Sequence, residues 1–294
     1  MKALRYVLIT PARNEEAFLE GTILSVTRQT VLPERWVIVS DGSTDRTDEI
    51  IKSHAARHGW IHYLRRPEHA DRQFAAKVHA FAAGHAAIGT LDHDVIGNLD
   101  ADLSFEPDTM EFLLSRFVED PGLGVAGVPF IEDEAAAAAY DYRFTNIEHV
   151  SGACQLFRRG CFEAIGGYKP IKGGGIDWLA VTTARMMGWR TRTFTERSVF
   201  HLRKIGTGGG KGFGALFRQG KKDHYLGNHP LWEAFRAVYQ MRYKPYGLGG
   251  LTILAGYLTS LIRRVERPAP PEVIRFCRRE QMRRLGAALD RGKR

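Results

Sequence analysis

Two aspartates one residue apart, Asp100 and Asp102, close an apolar run that begins at Val95: Val95-Ile96-Gly97-Asn98-Leu99-Asp100-Ala101-Asp102. At the end of an extended strand, side chains at i and i+2 point to the same face, so both carboxylates converge on one small volume. Carboxylates held that close repel each other unless a cation stands between them. A hard divalent ion with oxygen ligands meets that need, and a diphosphate completes its shell. The competing reading is a solvated turn after a strand.

The elements that would position this pair follow from the pattern around it. Residues 6–10 are an apolar run ended by Pro11 and read as a buried strand. Arg13-Asn14-Glu15-Glu16 then opens a helix to about Gln29. Residues 36–40 form a second strand, residues 41–45 a loop, and Asp48-Glu49-Ile50-Ile51 continues into a second helix. Residues 61–64 give a third strand, the Ala-rich stretch 72–87 a helix, and residues 95–99 a fourth strand. Strands alternating with helices predict an α/β fold around one Rossmann-like, mainly parallel sheet. Ligands of such sheets bind outside the carboxyl ends of the strands. Residues 11–15, 41–45 and 100–102 all fall there.

Taken together, Thr10-Pro11-Ala12-Arg13-Asn14-Glu15-Glu16, Val39-Ser40-Asp41-Gly42-Ser43-Thr44-Asp45 and Asn98-Leu99-Asp100-Ala101-Asp102 resemble the signature set of family 2 glycosyltransferases, over roughly residues 5–205. The resemblance implies a GT-A fold, a nucleotide-diphosphate sugar as donor, a Mn or Mg ion and inversion at the anomeric carbon. The implied reaction moves the sugar to a hydroxyl of a glycan or lipid-linked acceptor, in polysaccharide, glycolipid or cell-envelope glycan synthesis. The expected domains are a GT-A catalytic domain over 1–227 and a helical, basic region over 228–294. Within the first, the nucleotide-binding half covers about 1–103 and the acceptor half about 104–227.

Beside the resemblance, the residues can be read one by one. Pro11, Arg13, Glu15, Asp41, Lys77 and Asp100 are the expected donor-binding set. Asp41 can accept from a base N–H, or serve as a turn residue before Gly42. Glu15 can accept from ribose hydroxyls, or meet the dipole of a helix's first turn. Lys77, with Arg72 on the same helix, lies near base or phosphate in the family's pattern, or else on a solvated helix face. Residues 151–159 and 162–168 resemble the segment lining an acceptor pocket, with Cys154 packing rather than reacting. Asp177, in Gly175-Ile176-Asp177-Trp178, takes the position of the family's general base, or else N-caps its helix. Ile176 stands where the family usually carries a glutamate. His201, after the last expected strand, occupies the place of a third metal ligand beside Asp102 and Asp100, or is a core histidine. An imidazole favours Mn over Mg.

Composition narrows the classes. The 294-residue chain is 44% hydrophobic and 26% charged, as a globular protein is. Cys154, Cys161 and Cys277 are odd in number and far apart, which argues for a reducing compartment and against a disulfide framework or zinc site. The N-terminus shows no signal-peptide pattern, so a cytoplasmic location is expected. Residues 263–294 carry eleven Lys/Arg and four Asp/Glu, a net +7 of the chain's +9. Such a tail suits an anionic surface. A nucleic-acid-binding protein is disfavoured, because the basic charge is confined to the tail and no recognition motif is present. A sugar-nucleotide-binding protein without catalysis is the other alternative, motivated by Ile176.

Gly206-Thr207-Gly208-Gly209-Gly210-Lys211-Gly212 fails the Walker pattern, which needs Gly at 205 and Ser or Thr at 212. It reads as a flap, with Arg203, Lys204 and Lys211 facing a leaving diphosphate, or as a linker. Residues 247–262 are uncharged but too short for a span, which needs about 20 apolar residues. Leu248, Leu251, Leu254, Leu258 and Leu261 form a helical stripe. The stripe predicts peripheral contact with the inner face of the cell membrane, or a packed or dimerising helix.

Overall fold

The computed structural model describes residues 4–68, 74–131, 147–203 and 212–291. Arg72, Lys204, Lys211 and the rest of segment 204–211, named above, lie outside the described residues. Contacts divide the chain into two compact units, Met1–Ile205 and Gly206–Arg294.

The first unit is built on strands β1 (Tyr6–Ala12), β2 (Arg35–Asp41), β3 (Ile61–Arg66) and β4 (Val95–Leu99), with helices α1 (Leu19–Thr27), α2 (Thr47–Arg57) and α3 (Phe74–Ile88) between them. Then come β5 (Leu103–Phe105), α4 (Thr109–Glu119), β6 (Leu123–Gly127), β7 (Phe130–Ile131), β8 (Cys154–Arg158), α5 (Arg159–Ala164), α6 (Ile176–Met186), β9 (Arg190–Thr193) and β10 (Val199–His201). Seven strands form one sheet in the order β3-β2-β1-β4-β8-β6-β9. Pairing is parallel except where β8 runs antiparallel between β4 and β6. This is the expected mainly parallel α/β sheet. A second sheet, β5-β10-β7, was not foreseen.

Both faces of the large sheet are covered, which is why its strands read as continuous apolar runs. Tyr6, Leu8, Trp36 and Ile38 enter one core with Ile23, Val26 and Ile51 from α1 and α2. Val7, Ile9, Val37 and Val39 enter the other with Ala80 and Phe81 from α3. Gly84 lets α3 lie close: a Cβ there would stand 2.6 Å from Ile9 Cγ2.

Two boundaries differ from the sequence reading. Pro11 does not end β1. Beyond Ile9 the strand has no β4 partner, since that pairing stops at Asn98, so the missing N–H of Pro11 costs no bond on that side. Helix α1 starts at Leu19 rather than at Arg13, because Asn14 adopts φ +55°, outside the right-handed helix.

The second unit consists of helices α7 (Phe213–Tyr225), α8 (Pro230–Gln240), α9 (Leu248–Ile262) and α10 (Pro271–Arg291). Helix α7 packs on α9, within the unit Gly206–Arg294.

Candidate functional site

The site is assembled at the carboxyl ends of β1, β2 and β4. Strand β4 delivers Asp100 and Asp102, and four hydrogen bonds fix their turn. Asp100 N–H donates to Ala153 O at 2.8 Å, extending the β4–β8 ladder by one bond. Thr22 Oγ1, fully buried on α1, donates to Ala101 O at 2.8 Å and accepts from Leu103 N–H at 2.9 Å. Leu202 N–H donates to Asp102 O at 2.8 Å.

That last contact continues the antiparallel pairing of β10 with β5, in which His201 faces Leu103. His201 is therefore the last residue of a strand, not a residue after one. The pairing brings the imidazole to the aspartates: Asp100, Asp102 and His201 offer ligand atoms within 4.8 Å of one another. His201 Nε2 lies 3.7 Å from Asp102 Oδ1. His201 Nδ1 lies 3.0 Å from Arg203 O, which can only accept, so Nδ1 donates there and Nε2 is the ring nitrogen turned toward the cluster.

The set fits a divalent cation. Two carboxylates and one imidazole are the donors Mn or Mg would take there. Asp102 is held above the usual carboxylate range by burial, with His201 opposing the rise and Asp100 adding to it. Positive side chains already balance the cluster. Lys77 Nζ lies 2.5 Å from Asp100 Oδ1, and Arg203 Nε 3.3 Å from Asp102 Oδ2. Lys77, expected near base or phosphate, thus points at the first aspartate.

The β1 and β2 loops interlock, and this explains the backbone of Asn14. Its N–H donates to Ser43 Oγ at 3.2 Å and its Oδ1 accepts from Thr44 N–H at 2.8 Å. Asparagine tolerates the left-handed region better than other non-glycine residues. Glu15 N–H donates to Thr47 Oγ1 at 2.8 Å. Glu15 also pairs with Arg203. Burial pushes the Glu15 carboxyl up to about 7, against Arg203 and with help from Asp102. Asp41, buried at the end of β2, pairs with Arg66, its registered neighbour on β3. It also precedes a turn, since Gly42 has φ +69° and no room for a Cβ beside Glu68 Cα.

These groups share one cavity of about 550 Å³. Pro11, Arg13, Glu15, Asp41, Lys77, Asp100 and Asp102 of the expected residues line it, together with Arg203. His201 joins through the aspartates rather than through the cavity wall. Asp177 is not in the wall either, but it is tied to the same turn. Its Oδ2 accepts from Gly152 N–H at 3.2 Å and lies 3.6 Å from His149 Nε2. Gly152 O accepts from Asn98 Nδ2 at 2.5 Å, and the next carbonyl, Ala153 O, takes the Asp100 N–H. Asp177 does not cap its helix. The N-cap of α6 is Gly175, and Asp177 lies in the first turn. Cys154 is buried and unbridged, with its thiol pushed up to about 12 by burial, as a packing residue would be.

Sequence reasoning missed Arg66, Thr22, Asn98, Gly152 and His149. Asn98 sits within a quoted motif, as Asn14 does, and Gly152 within the expected acceptor segment, but nothing local gave them these roles. The others act through pairings distant in the chain.

The model of "Glycosyl transferase family 2" matches residues 7–166. A chondroitin synthase and a hyaluronan synthase of Pasteurella multocida are each 29% identical over 113 residues. These matches cover 38% of this chain and 11% of the relatives' length, so the chain corresponds to a small part of each. Among solved structures, the mannosyltransferase PcManGT from Pyrobaculum calidifontis, in complex with GDP-Man and Mn2+, aligns with TM-score 0.57 at 18% identity, over 98% of this chain and 81% of that one. TarS residues 1–349 of S. aureus, in complex with UDP-GlcNAc, align with TM-score 0.55 at 13% identity, over 93% and 79%. At such identities the likeness speaks for the fold, which is the GT-A arrangement. The matched residues take in β1, β2, β4 and the Asp100–Asp102 turn and span more than half of the sequence: the chain belongs to glycosyl transferase family 2.

Proposed function

We propose that this chain is an inverting glycosyltransferase that moves a sugar from a nucleotide-diphosphate sugar to a hydroxyl of a glycan or lipid-linked acceptor. The observation that carries the reading is the single cavity joining Asp41 and Glu15 to the Asp100–Asp102–His201 cluster. Asp41 and Glu15 offer the acceptors a nucleoside would use, and the carboxylates that line the same cavity offer donors for a cation. The solved relatives hold GDP-Man with Mn2+ and UDP-GlcNAc, in keeping with such a donor.

Asp41 would accept from the base and Glu15 from ribose hydroxyls. Arg13 and Lys77 line the same cavity and would meet the phosphates. Asp102, Asp100 and His201 would hold the divalent ion, which supplies neutralisation of the diphosphate's charge as the glycosidic bond breaks. Arg203 pairs with Glu15 and Asp102 in this structure and would turn to the diphosphate when those acids gain another partner. Asp177, positioned by Gly152 N–H and His149, would take the proton of the acceptor hydroxyl as its oxygen attacks the anomeric carbon in line. One displacement gives inversion. Asp177 accepts the proton, and the nucleoside diphosphate leaves with the bonding pair.

The test is calorimetric titration of UDP- and GDP-sugars with and without Mn, on the wild type and Asp102→Ala. Metal-dependent binding should be present in the wild type and lost in the variant, with the circular-dichroism spectrum unchanged. Undiminished heat in the variant would remove Asp102 from the site.

A further inference from the structure

Helix α9 is packed the wrong way round for a helix of a water-soluble fold. Its inward face carries Gly249, Gly250, Ile253, Gly256, Tyr257 and Ser260. The small residues there admit neighbouring backbones. A Cβ on Gly250 would lie 2.1 Å from Ala237 O of α8, and one on Gly256 2.1 Å from Phe217 O of α7. Its outward face carries Leu248, Leu251, Leu258 and Leu261, all exposed, and ends at Ile262, 79% exposed. An ordinary amphipathic helix buries its leucines and exposes its small and polar residues.

The neighbours continue the pattern. Helix α8 exposes Leu231 and Val238 one above the other. Tyr243 and Tyr246 are exposed at the approach to α9. Residues 241–265 contain Arg242, Lys244, Arg263 and Arg264 and no Asp or Glu. Basic residues thus stand at both ends of the leucine stripe. Within the same unit, Arg275, Arg279 and Arg283 recur every fourth residue along the exposed side of α10.

We infer that the outward face of α9, with its basic and tyrosine-bearing ends, is a docking surface for an anionic lipid bilayer. Leucines would enter the acyl boundary while Arg242, Lys244, Arg263 and Arg264 meet headgroup phosphates. Tyrosines at the edge suit the headgroup level. The helix lies in the interface and does not cross it: 15 residues reach about 22 Å, against a hydrocarbon core of about 30 Å. No described helix is long and apolar enough to span. A second copy of the chain is the poorer occupant, because two such faces would set Arg242, Lys244, Arg263 and Arg264 of one copy against the same basic residues of the other, with Glu266 the one acid next to the stripe.

Co-sedimentation of the full chain with vesicles tests this, independently of any transfer activity. Vesicles of phosphatidylcholine alone are compared with equal mixtures of phosphatidylcholine and phosphatidylglycerol. The chain should sediment with the anionic vesicles, and less so as salt rises. The double variant L251E/L258E should lose at least about tenfold in partitioning. R263A/R264A should weaken binding to anionic vesicles only. Hydroxyl-radical footprinting of the wild type makes the test independent of how variants fold, since Tyr246, Leu251 and Ile262 should lose reactivity only with anionic vesicles. Absence of sedimentation, or unchanged footprints with vesicles bound, would overturn the proposal. So would a wild-type dimer that L251E/L258E converts to monomer without any vesicle binding, which would assign the face to a second copy.

Discussion

Replacing Thr22 by valine should destabilise the Asp100–Asp102 turn without touching either aspartate. The Thr22 hydroxyl is fully buried and serves two backbone groups at once, Ala101 C=O and Leu103 N–H. Valine keeps the shape, so no cavity term enters. It leaves a buried acceptor and a buried donor unsatisfied, each costing about 1–3 kcal/mol. With partial relaxation the loss should be about 2–4 kcal/mol, a large share of a domain's total stability. Thr22→Ser retains the hydroxyl and removes one methyl, which should cost about 1 kcal/mol. Urea unfolding followed by tryptophan fluorescence, with Trp36 and Trp60 as reporters in the same unit, measures the difference. The turn carries two of the three residues proposed to hold the cation, so Mn affinity by calorimetry should also fall about tenfold in T22V, equivalent to about 1.4 kcal/mol, and stay near wild type in T22S. Equal costs for valine and serine, or an unchanged Mn affinity in T22V, would show that the hydroxyl does not hold this turn.

Asp177→Asn should keep donor binding and fold stability, because Gly175 rather than Asp177 caps α6 and the amide oxygen can still accept from Gly152 N–H. Transfer should drop at least about a hundredfold for want of a base, and near-normal turnover would place the base elsewhere. In the C-terminal unit, Glu233 is fully buried and its carboxyl is pushed up to about 7 by burial and by Asp223, with Arg236 opposing. Its folded pKa lies above the unfolded one, so folding binds a proton between pH about 4.5 and 7. The corresponding stability is present below that window and falls as pH rises through it, by at most about 1.4 kcal/mol per unit. Urea midpoints across this range should decline for the wild type and flatten for Glu233→Gln; parallel profiles would rule out this group as the cause.

What the amino-acid order determined by itself was the period and the position of things close in the chain. Alternating apolar runs announced β1 to β4, and the i, i+2 spacing put Asp100 and Asp102 on one face. The carboxyl-end rule then gathered Glu15, Asp41 and the aspartates into one cavity. Local signals failed where a residue's conformation is set by a distant partner. Asn14 delays α1 because the β2 loop, with Ser43 and Thr44, holds it in a left-handed backbone. His201 reaches Asp102 because β10 pairs with β5, a contact between segments almost a hundred residues apart. Asp177 answers to Gly152 and His149, not to its own helix end. The leucine stripe of α9 was legible as a stripe, yet a period of 3.6 says which residues share a face and nothing about which way that face looks. Only packing decided it. The helices of the second unit approach one another so closely that glycine alone fits between their backbones, and the leucines are left outside.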